Sequence, residues 1–459
     1  MKTTTVKSND KSFFQKPAVQ SVVASLICIL GGLLVGFLVL LFMAIFSDDI
    51  SVGEAFSGIF IVLSGPIAAG NPKDILFSCG NMLFTATPLI MTGLAIALAF
   101  KTGLFNIGAP GQYLMGAMGS LVVSLSIPQG SMPSWLIWTL AFLTGTVLGV
   151  LWGAIPGFFK AKFNVNEVIV CILTNWIAAN VVSWVFYANQ QNFVNFAETK
   201  TNFIKKTSAN GVSTWTMGLD KLFGGSYLDV SIILVTLIAV MLYIMLNKTT
   251  FGYELKACGY NRNASKYAGM NEKRNIILSM AIAGGLAAAG AALWCLNGQQ
   301  DFKWNTYQQL PSVGFNGIPA ALLASNNPIG VVFSAIFLRY IDTGGSYLNG
   351  KTSFNEYVPQ LIVAVIIYFA GFSKLIKDFL GRKKKNAVPA PSPLLSGQVP
   401  AAALKPTPVE PETEPEVLPD PEKEDLPEPE PEDSPEPEPE DLQEPAPGVD
   451  PEKREEGDE

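Results

Sequence analysis

Histidine is absent from all 459 residues, which removes imidazole acid–base catalysis and histidine-ligated metal sites. Charge is scarce as well: only 15% of residues are charged against 49% hydrophobic, and mean hydropathy is +0.32. Such a chain is short of the polar surface that a water-soluble protein carries. Its five cysteines, Cys28, Cys79, Cys171, Cys258 and Cys295, stand singly and mostly inside apolar runs. That is neither metal-ligand spacing nor a disulfide framework. No GxxxxGK[ST] segment occurs, so if ATP drives this protein another chain binds it. Acids are nearly missing from the apolar runs, where Asp342 and Glu167 come nearest to membrane depth, both near predicted ends. This counts against a proton- or sodium-coupled carrier. No cofactor and no nucleic-acid partner is expected.

What is present is a series of apolar runs of the length that crosses a bilayer. The predicted fold is all-α and polytopic, with about ten transmembrane helices at 21–46, 75–100, 107–127, 134–159, 166–187, 228–246, 276–296, 312–325, 329–347 and 357–376. Residues 52–63 are expected along the interface. The first run is too long, and lacks the small-residue cleavage motif, for a signal peptide. Lys2, Lys7, Lys11 and Lys16 precede it, six basic residues lie in 247–275, and Lys374, Lys377, Arg382, Lys383, Lys384 and Lys385 lie at or beyond the end of the last run. Ten crossings give each cluster a cytoplasmic address under the positive-inside rule, with both termini inside. Treating 312–325 as re-entrant would put the last cluster outside.

Net charge is −7, but it hides two opposed regions. Residues 389–459 hold 23 acidic and 4 basic residues and 19 of the 31 prolines, leaving 27 basic against 15 acidic residues before them. That composition neither buries a core nor forms regular helices. Three regions follow: a cytoplasmic segment 1–20, a membrane domain 21–380, and a disordered Pro/Glu-rich cytoplasmic tail 381–459.

One stretch inside the membrane domain breaks the apolar pattern. Residues 101–119, KTGLFNIGAPGQYLMGAMG, gather six Gly or Pro positions around Lys101, Asn106 and Gln112. Backbone released from helical pairing is costly in hydrocarbon and is tolerated where protein buries it or water reaches it. Two readings stand: a short cytoplasmic turn between spans, or part of a substrate path. Five spans precede the long polar segment after residue 187 and five follow it, the arithmetic of a 5+5 inverted repeat. GLFNIG before the third span and GFNGI at 314–318 are its faint echo.

The loop 247–275 reads physically as a short helix, with Ala264, Tyr267, Ala268 and Met270 on one side and Arg262, Lys266 and Lys273 around it. It either docks into a partner's groove or is a solvated basic loop. Asn166, Glu167, Asn175 and Trp176 are placed for one face of the fifth span, as path groups or as interfacial anchors.

Four blocks make the chain resemble the permease subunit of bacterial nucleoside ABC importers, within the wider branched-chain amino-acid and ribose permease group. They are TPLIMTGLAIALAFKTGLFNIGAPGQYLMGA from Thr87, IPGFFKAKFNVNEVIVCILTNWIA from Ile155, KTTFGYELKACGYNRNASKYAGMN from Lys248 and GFNGIPAALLASNNPIGV from Gly314. The resemblance implies a transport subunit, not an enzyme, in a bacterial plasma membrane. Its implied partners are a cytoplasmic ABC ATPase, a second permease, an extracellular substrate-binding lipoprotein and membrane lipid, with a nucleoside as cargo. It implies a path lined by Asn106, Gln112, Asn175, Trp176 and Asn316, and an ATPase-docking loop carrying Lys256, Gly259, Asn261, Ala268 and Gly269. Pro110 stands where the family has an acid, Thr174 where it favours Leu, Pro319 where it favours Ala, and Leu323 and Ala324 in its LLG segment. The same motifs would serve a sugar or branched-chain amino-acid importer; an ion-coupled carrier is the reading from another class.

Overall fold

The computed structural model describes residues 17–47, 50–196, 200–305, 308–354, 358–372 and 376. Met1–Val388 forms one compact unit. The acidic tail and nearly all of the N-terminal segment lie outside the described residues, as do the basic residues beyond 376.

The first helices are α1 (Pro17–Phe46), α2 (Val52–Ser64), α3 (Pro72–Lys101), α4 (Ala109–Ser126), α5 (Ser134–Phe163) and α6 (Glu167–Ala188). Short elements follow: α7 (Gln190–Phe193), β1 (Val194–Asn195), β2 (Lys200–Ile204) and α8 (Leu219–Leu222). Next come α9 (Ser231–Lys248), α10 (Thr250–Tyr260), α11 (Arg262–Tyr267), α12 (Glu272–Leu296) and β3 (Phe302–Lys303). The last are α13 (Ser312–Leu323), α14 (Pro328–Ser346), α15 (Leu348–Lys351) and α16 (Val358–Ala370).

Seven helices among the described residues are long and apolar enough to cross a membrane, or eight if the bent pair α13–α14 counts as one span. That is fewer than the ten expected. α4 holds Pro110, Gly111 and Gln112 in its first turn and is buried along most of its length, so protein rather than lipid surrounds its polar start. The last expected span, 357–376, lies only partly within the described residues. The stretch Val52–Ala69 does pass on apolarity. Yet Glu54 near its start accepts the Ser353 N–H at 2.8 Å, while Lys351 donates to the Ala68 carbonyl near its end. Both ends of this stretch therefore sit beside one short segment of chain.

α3 and α12 form the centre, and both are buried over most of their length. Their closeness to α4 and α5 comes from small residues, which let helix backbones approach where no side chain intervenes. On α5, Gly145, Gly149, Gly153 and Gly157 recur every fourth residue and so share a face. A Cβ at Gly153 would stand 2.8 Å from Gly284 Cα, and one at Gly157 3.0 Å from Ile277 Cα, both on α12. The α12 run AGGLAAAGAAL supplies the opposing surface.

The helix ends collect on two opposite faces. On one, the end of α3 meets α10, Arg262 at the start of α11 pairs with Glu272 at 2.6 Å, and its Nη1 reaches Asn164 Oδ1 after α5 at 3.2 Å. On the other face β1, β2 and β3 form an antiparallel sheet, with Val194 opposite Ile204 and Phe203 opposite Lys303. The 200–230 segment closes over that face: Asn210 Nδ2 donates to the Ser124 carbonyl at 2.7 Å, and Thr214 N–H to the Leu296 carbonyl at 2.8 Å.

α13 starts inside the bundle. Thr92 Oγ1 donates to the Val313 carbonyl at 3.0 Å. Thr92 is nine residues before the end of α3, which places this contact about 13 Å along the helix from that end. Ser325 and Asn326 then adopt left-handed φ values of 50° and 57°. The chain turns by 119° between α13 and α14, where Asn327 caps the new helix through the Ile329 and Gly330 N–H groups.

Candidate functional site

The broken stretch resolves into a seven-residue connection, 102–108, and the first turn of α4. Pro110 falls in that first turn, where a missing N–H costs no helical hydrogen bond. This is why proline stands there without disturbing the helix start. Asn106 is fully buried. Its Nδ2 donates to Gln112 Oε1 at 2.9 Å, Gln112 Nε2 donates back to Asn106 Oδ1 at 3.2 Å, and the same oxygen accepts the Gly108 N–H at 3.1 Å. The two amides thus clasp the connection to the helix it precedes.

Asn175 completes the clasp from α6. Its Oδ1 accepts the Gly111 N–H at 2.9 Å and its Nδ2 donates to the Ile107 carbonyl at 3.0 Å. Gly111 is required there, since a Cβ would stand 2.7 Å from Asn175 Oδ1. Backbone groups that a helix start leaves without intrahelical partners are met by side chains. Asn106, Gln112 and Asn175 are therefore brought together, as a satisfied network with one another and the backbone.

Trp176 is not part of it. Successive helical residues point about 100° apart, so with Asn175 turned inward Trp176 faces outward and is 55% exposed. The four residues expected on one face separate by role. Asn166 caps α6 through the Val168 N–H, Glu167 pairs with Lys160 at 2.9 Å, and only Asn175 enters the core. Asn316 lies on α13, half-buried and without a hydrogen bond among the described residues. Its helix reaches the clasp directly: a Cβ on Gly314 would stand 2.5 Å from Pro110 Cα, and one on Gly317 2.7 Å from the Thr92 carbonyl carbon. The first turns of α4 and α13 thus meet beside Thr92 and Gly93 of α3.

The expected single helix in 247–275 is two, α10 and α11, with Asn261 between them capping α11 through the Ala264 N–H at 3.0 Å. Lys256 is half-buried and donates to Asn247 Oδ1 at 3.4 Å. Gly259 packs against the α3–α4 connection. Its Cα lies where a Cβ on Gly103 would stand only 2.7 Å away. Ala268 and Gly269, with φ 78° at the glycine, lie exposed beyond α11. They line a groove of about 840 Å³ with Lys248, Tyr253 and Arg274, adjoined by a second of about 520 Å³ along Lys256, Tyr260 and Ala264. Tyr260 and Tyr267 stand 90% and 93% exposed beside it.

Residues 78–370 match the family described as the branched-chain amino acid transport system permease component. The chain belongs to this permease family. It is thus a transport subunit, and its apolar helices make it a multi-pass membrane protein. The permease is 33% identical to the guanosine ABC transporter permease protein NupP of Bacillus subtilis over 362 residues, covering 79% of this chain and 96% of that one. It is 35% identical to the nucleoside ABC transporter permease protein NupB of Lactococcus lactis over 307 residues, 67% and 82% of the two chains. A glucose ABC transporter permease protein, TsgB13 of Haloferax volcanii, is 28% identical over 66% of this chain and 78% of its own.

One cation in the permease, Arg339, escaped the sequence reading. Arg339 and Asp342 on α14 are joined at 2.8 Å, with the Arg339 side chain only 17% exposed. The signal was present as a cation inside the predicted span 329–347.

Proposed function

We propose that this permease is a transmembrane subunit of an ATP-binding-cassette importer for nucleosides, and that it docks a cytoplasmic ATPase through α10 and α11. The carrying observation is the 33% identity to a guanosine permease across 96% of that protein's length. A second permease, needed to complete the path, and an extracellular binding lipoprotein are the further partners of this reading.

The face bearing α10 and α11 is cytoplasmic in this proposal, in accord with the basic residues of 247–275. α1 and α16 run antiparallel, Gly31 beside Phe369 and Gly36 beside Ile362, so the start of α1 and the end of α16 lie on one side, in accord with two cytoplasmic termini. Eight helices cross: α1, α3, α4, α5, α6, α9, α12 and α16. α13 and α14 enter and return as a pair, giving ten membrane-embedded helices, while 52–69 lies along the outer interface. The inverted repeat is supported by α3 and α12, two central helices each followed by a helix start rich in glycine and proline, where those starts meet.

In this arrangement Asn106, Gln112 and Asn175 hold the wall of the path, and Asn316 with its open amide is the group offered to cargo. Tyr253, Ala268 and Gly269 form the docking groove, and Gly259 against Gly103 carries its movement to the α3–α4 connection. Labelled-nucleoside uptake through the complete importer, in cells lacking other nucleoside carriers, tests the reading. Competition by unlabelled nucleosides and none by glucose or leucine is expected; competition by glucose or leucine alone overturns it.

A further inference from the structure

The helices set the depth at which the 200–230 segment meets the bundle. The hydrocarbon of a bilayer is about 30 Å thick, the length of roughly 20 helical residues. Counted back from Lys101, which ends α3, that length reaches Asn81. Counted back from Lys160 in the last turn of α5, it reaches Leu140, half a turn from Trp138. The segment is fastened to both helices at this level. The Tyr227 N–H donates to Asn81 Oδ1 at 3.0 Å, and the Tyr227 ring lies 6.5 Å from that of Phe77. Trp138 Nε1 donates to Thr214 Oγ1 at 2.9 Å, and the Trp138 and Trp215 rings are 5.6 Å apart. The Trp215 carbonyl also accepts the Val230 N–H at 3.0 Å, just ahead of α9.

Between these fastenings the chain turns large apolar side chains outward. Met217 and Leu222 are 80% and 67% exposed, and Trp215 and Tyr227 at the two ends are exposed as well. On the helices that the segment touches, the exposed residues next in depth are also apolar, Leu140 on α5 and Ile233 on α9. Exposed apolar surface of this kind marks contact with a membrane or a partner. Tryptophan and tyrosine collect where a bilayer meets water, with the ring in the apolar layer and the N–H or O–H in the wet one. The depth of the loop, at the edge of the hydrocarbon, decides for lipid.

We propose that residues 215–227 are an interfacial anchor, with Met217 and Leu222 entering the acyl layer on the sheet-bearing face and Trp215 and Tyr227 lying at the headgroups. Lys221, exposed beside Leu222, keeps its ammonium among the headgroups while its stem lies along the apolar layer. Earlier in the same segment, Asn210 and Thr214 bond to the ends of α4 and α12, so lipid held at this loop also steadies the cover over those ends. The anchor requires only a multi-pass membrane protein and is independent of the cargo.

The test places the photo-reactive residue p-benzoylphenylalanine at Met217 or Leu222 of the full chain, in the complete importer reconstituted in nanodiscs of phosphatidylethanolamine and phosphatidylglycerol. Leu237 on α9 and Lys303 on the sheet serve as lipid-facing and water-facing references. After irradiation, mass spectrometry should find phospholipid adducts at 217 and 222 with a yield like that at 237 and well above that at 303. A yield no higher than at 303 overturns the inference, and so do adducts to another importer subunit in place of lipid, which would make the loop a protein docking surface. A second measurement uses point variants in the same nanodiscs. A membrane-impermeant maleimide should label Met217→Cys roughly ten- to a hundredfold more slowly than Lys303→Cys, the worth of burying one apolar side chain such as Leu222. Equal labelling rates overturn the inference even if the photo-reactive variants fail to insert.

Discussion

Gly314 in the first turn of α13 lies so close to Pro110 in the first turn of α4 that a Cβ on the glycine would stand 2.5 Å from the proline Cα. Both atoms belong to backbone, so neither can move aside as a side-chain end would. Gly314→Ala should push the two helix starts apart at a cost of about 1–3 kcal/mol, the usual price of overpacking. Thermal unfolding of the detergent-purified permease should show the loss and uptake should fall with it. Wild-type melting and uptake in Gly314→Val would mean that the two starts are not in contact.

The amide clasp leads to a contrast between two asparagines. Removing Asn106 leaves the Gln112 amide and the Gly108 N–H buried without partners, at about 1–3 kcal/mol each. Asn106→Ala should therefore lower membrane abundance and depress every nucleoside alike. Asn316→Ala, which breaks no hydrogen bond among the described residues, should keep abundance and alter the ratio of uptake rates across a nucleoside panel. The opposite pattern would return Asn106 to the path and make Asn316 structural.

Much of this architecture could be read in the sequence because bilayer-length apolar runs and basic clusters are local signals. The α4 start was found from its glycines, its proline and its two amides, all within one stretch. Its meeting with Gly314 and Thr92 could not be, since a contact across some 200 residues leaves no mark on either segment. Trp176 was grouped with Asn175 by proximity in the chain, although a helix turns neighbouring residues to different faces. The glycine stripe on α5 was legible at a spacing of four and was overlooked beside the louder Gly/Ala run of α12. Asn106 stood out as a polar group within a broken stretch, but the sequence does not say whether its partner is cargo or another amide.

Docking and transmission should separate by mutation. Ala268→Glu with Gly269→Glu places two carboxylates in the exposed groove and should abolish co-purification of the ATPase while membrane insertion persists. Gly259→Val instead opposes the backbone of Thr102 and Gly103, where even a Cβ would stand 2.5 Å from the Thr102 carbonyl carbon. The ATPase should still bind this variant, but its hydrolysis should no longer respond to cargo. If Gly259→Val loses the ATPase altogether, the contact serves docking rather than coupling.

On the face bearing the sheet, just ahead of α9, Asp229 gives a pH dependence whose sign can be worked out. Its carboxylate is buried and accepts from Asn297 Nδ2 at 2.6 Å and from the Ser231 N–H at 2.9 Å. Burial raises its pKa and outweighs these hydrogen bonds, which lower it. The folded protein therefore holds this proton more tightly than the unfolded chain does. From the ordinary carboxylate range near pH 4 up to the raised value, the folded state binds more protons. Stability from this group is then fully present below that window and falls as pH rises through it, by at most about 1.4 kcal/mol per pH unit. Asp229→Asn keeps an acceptor for the Ser231 N–H but cannot titrate. Melting temperatures of the wild type in detergent should decline from about pH 4 upward relative to the variant, and the difference should level off above the raised pKa. A difference of the other sign, with the wild type gaining on the variant as pH rises, would mean that the hydrogen bonds from Asn297 and Ser231 outweigh desolvation.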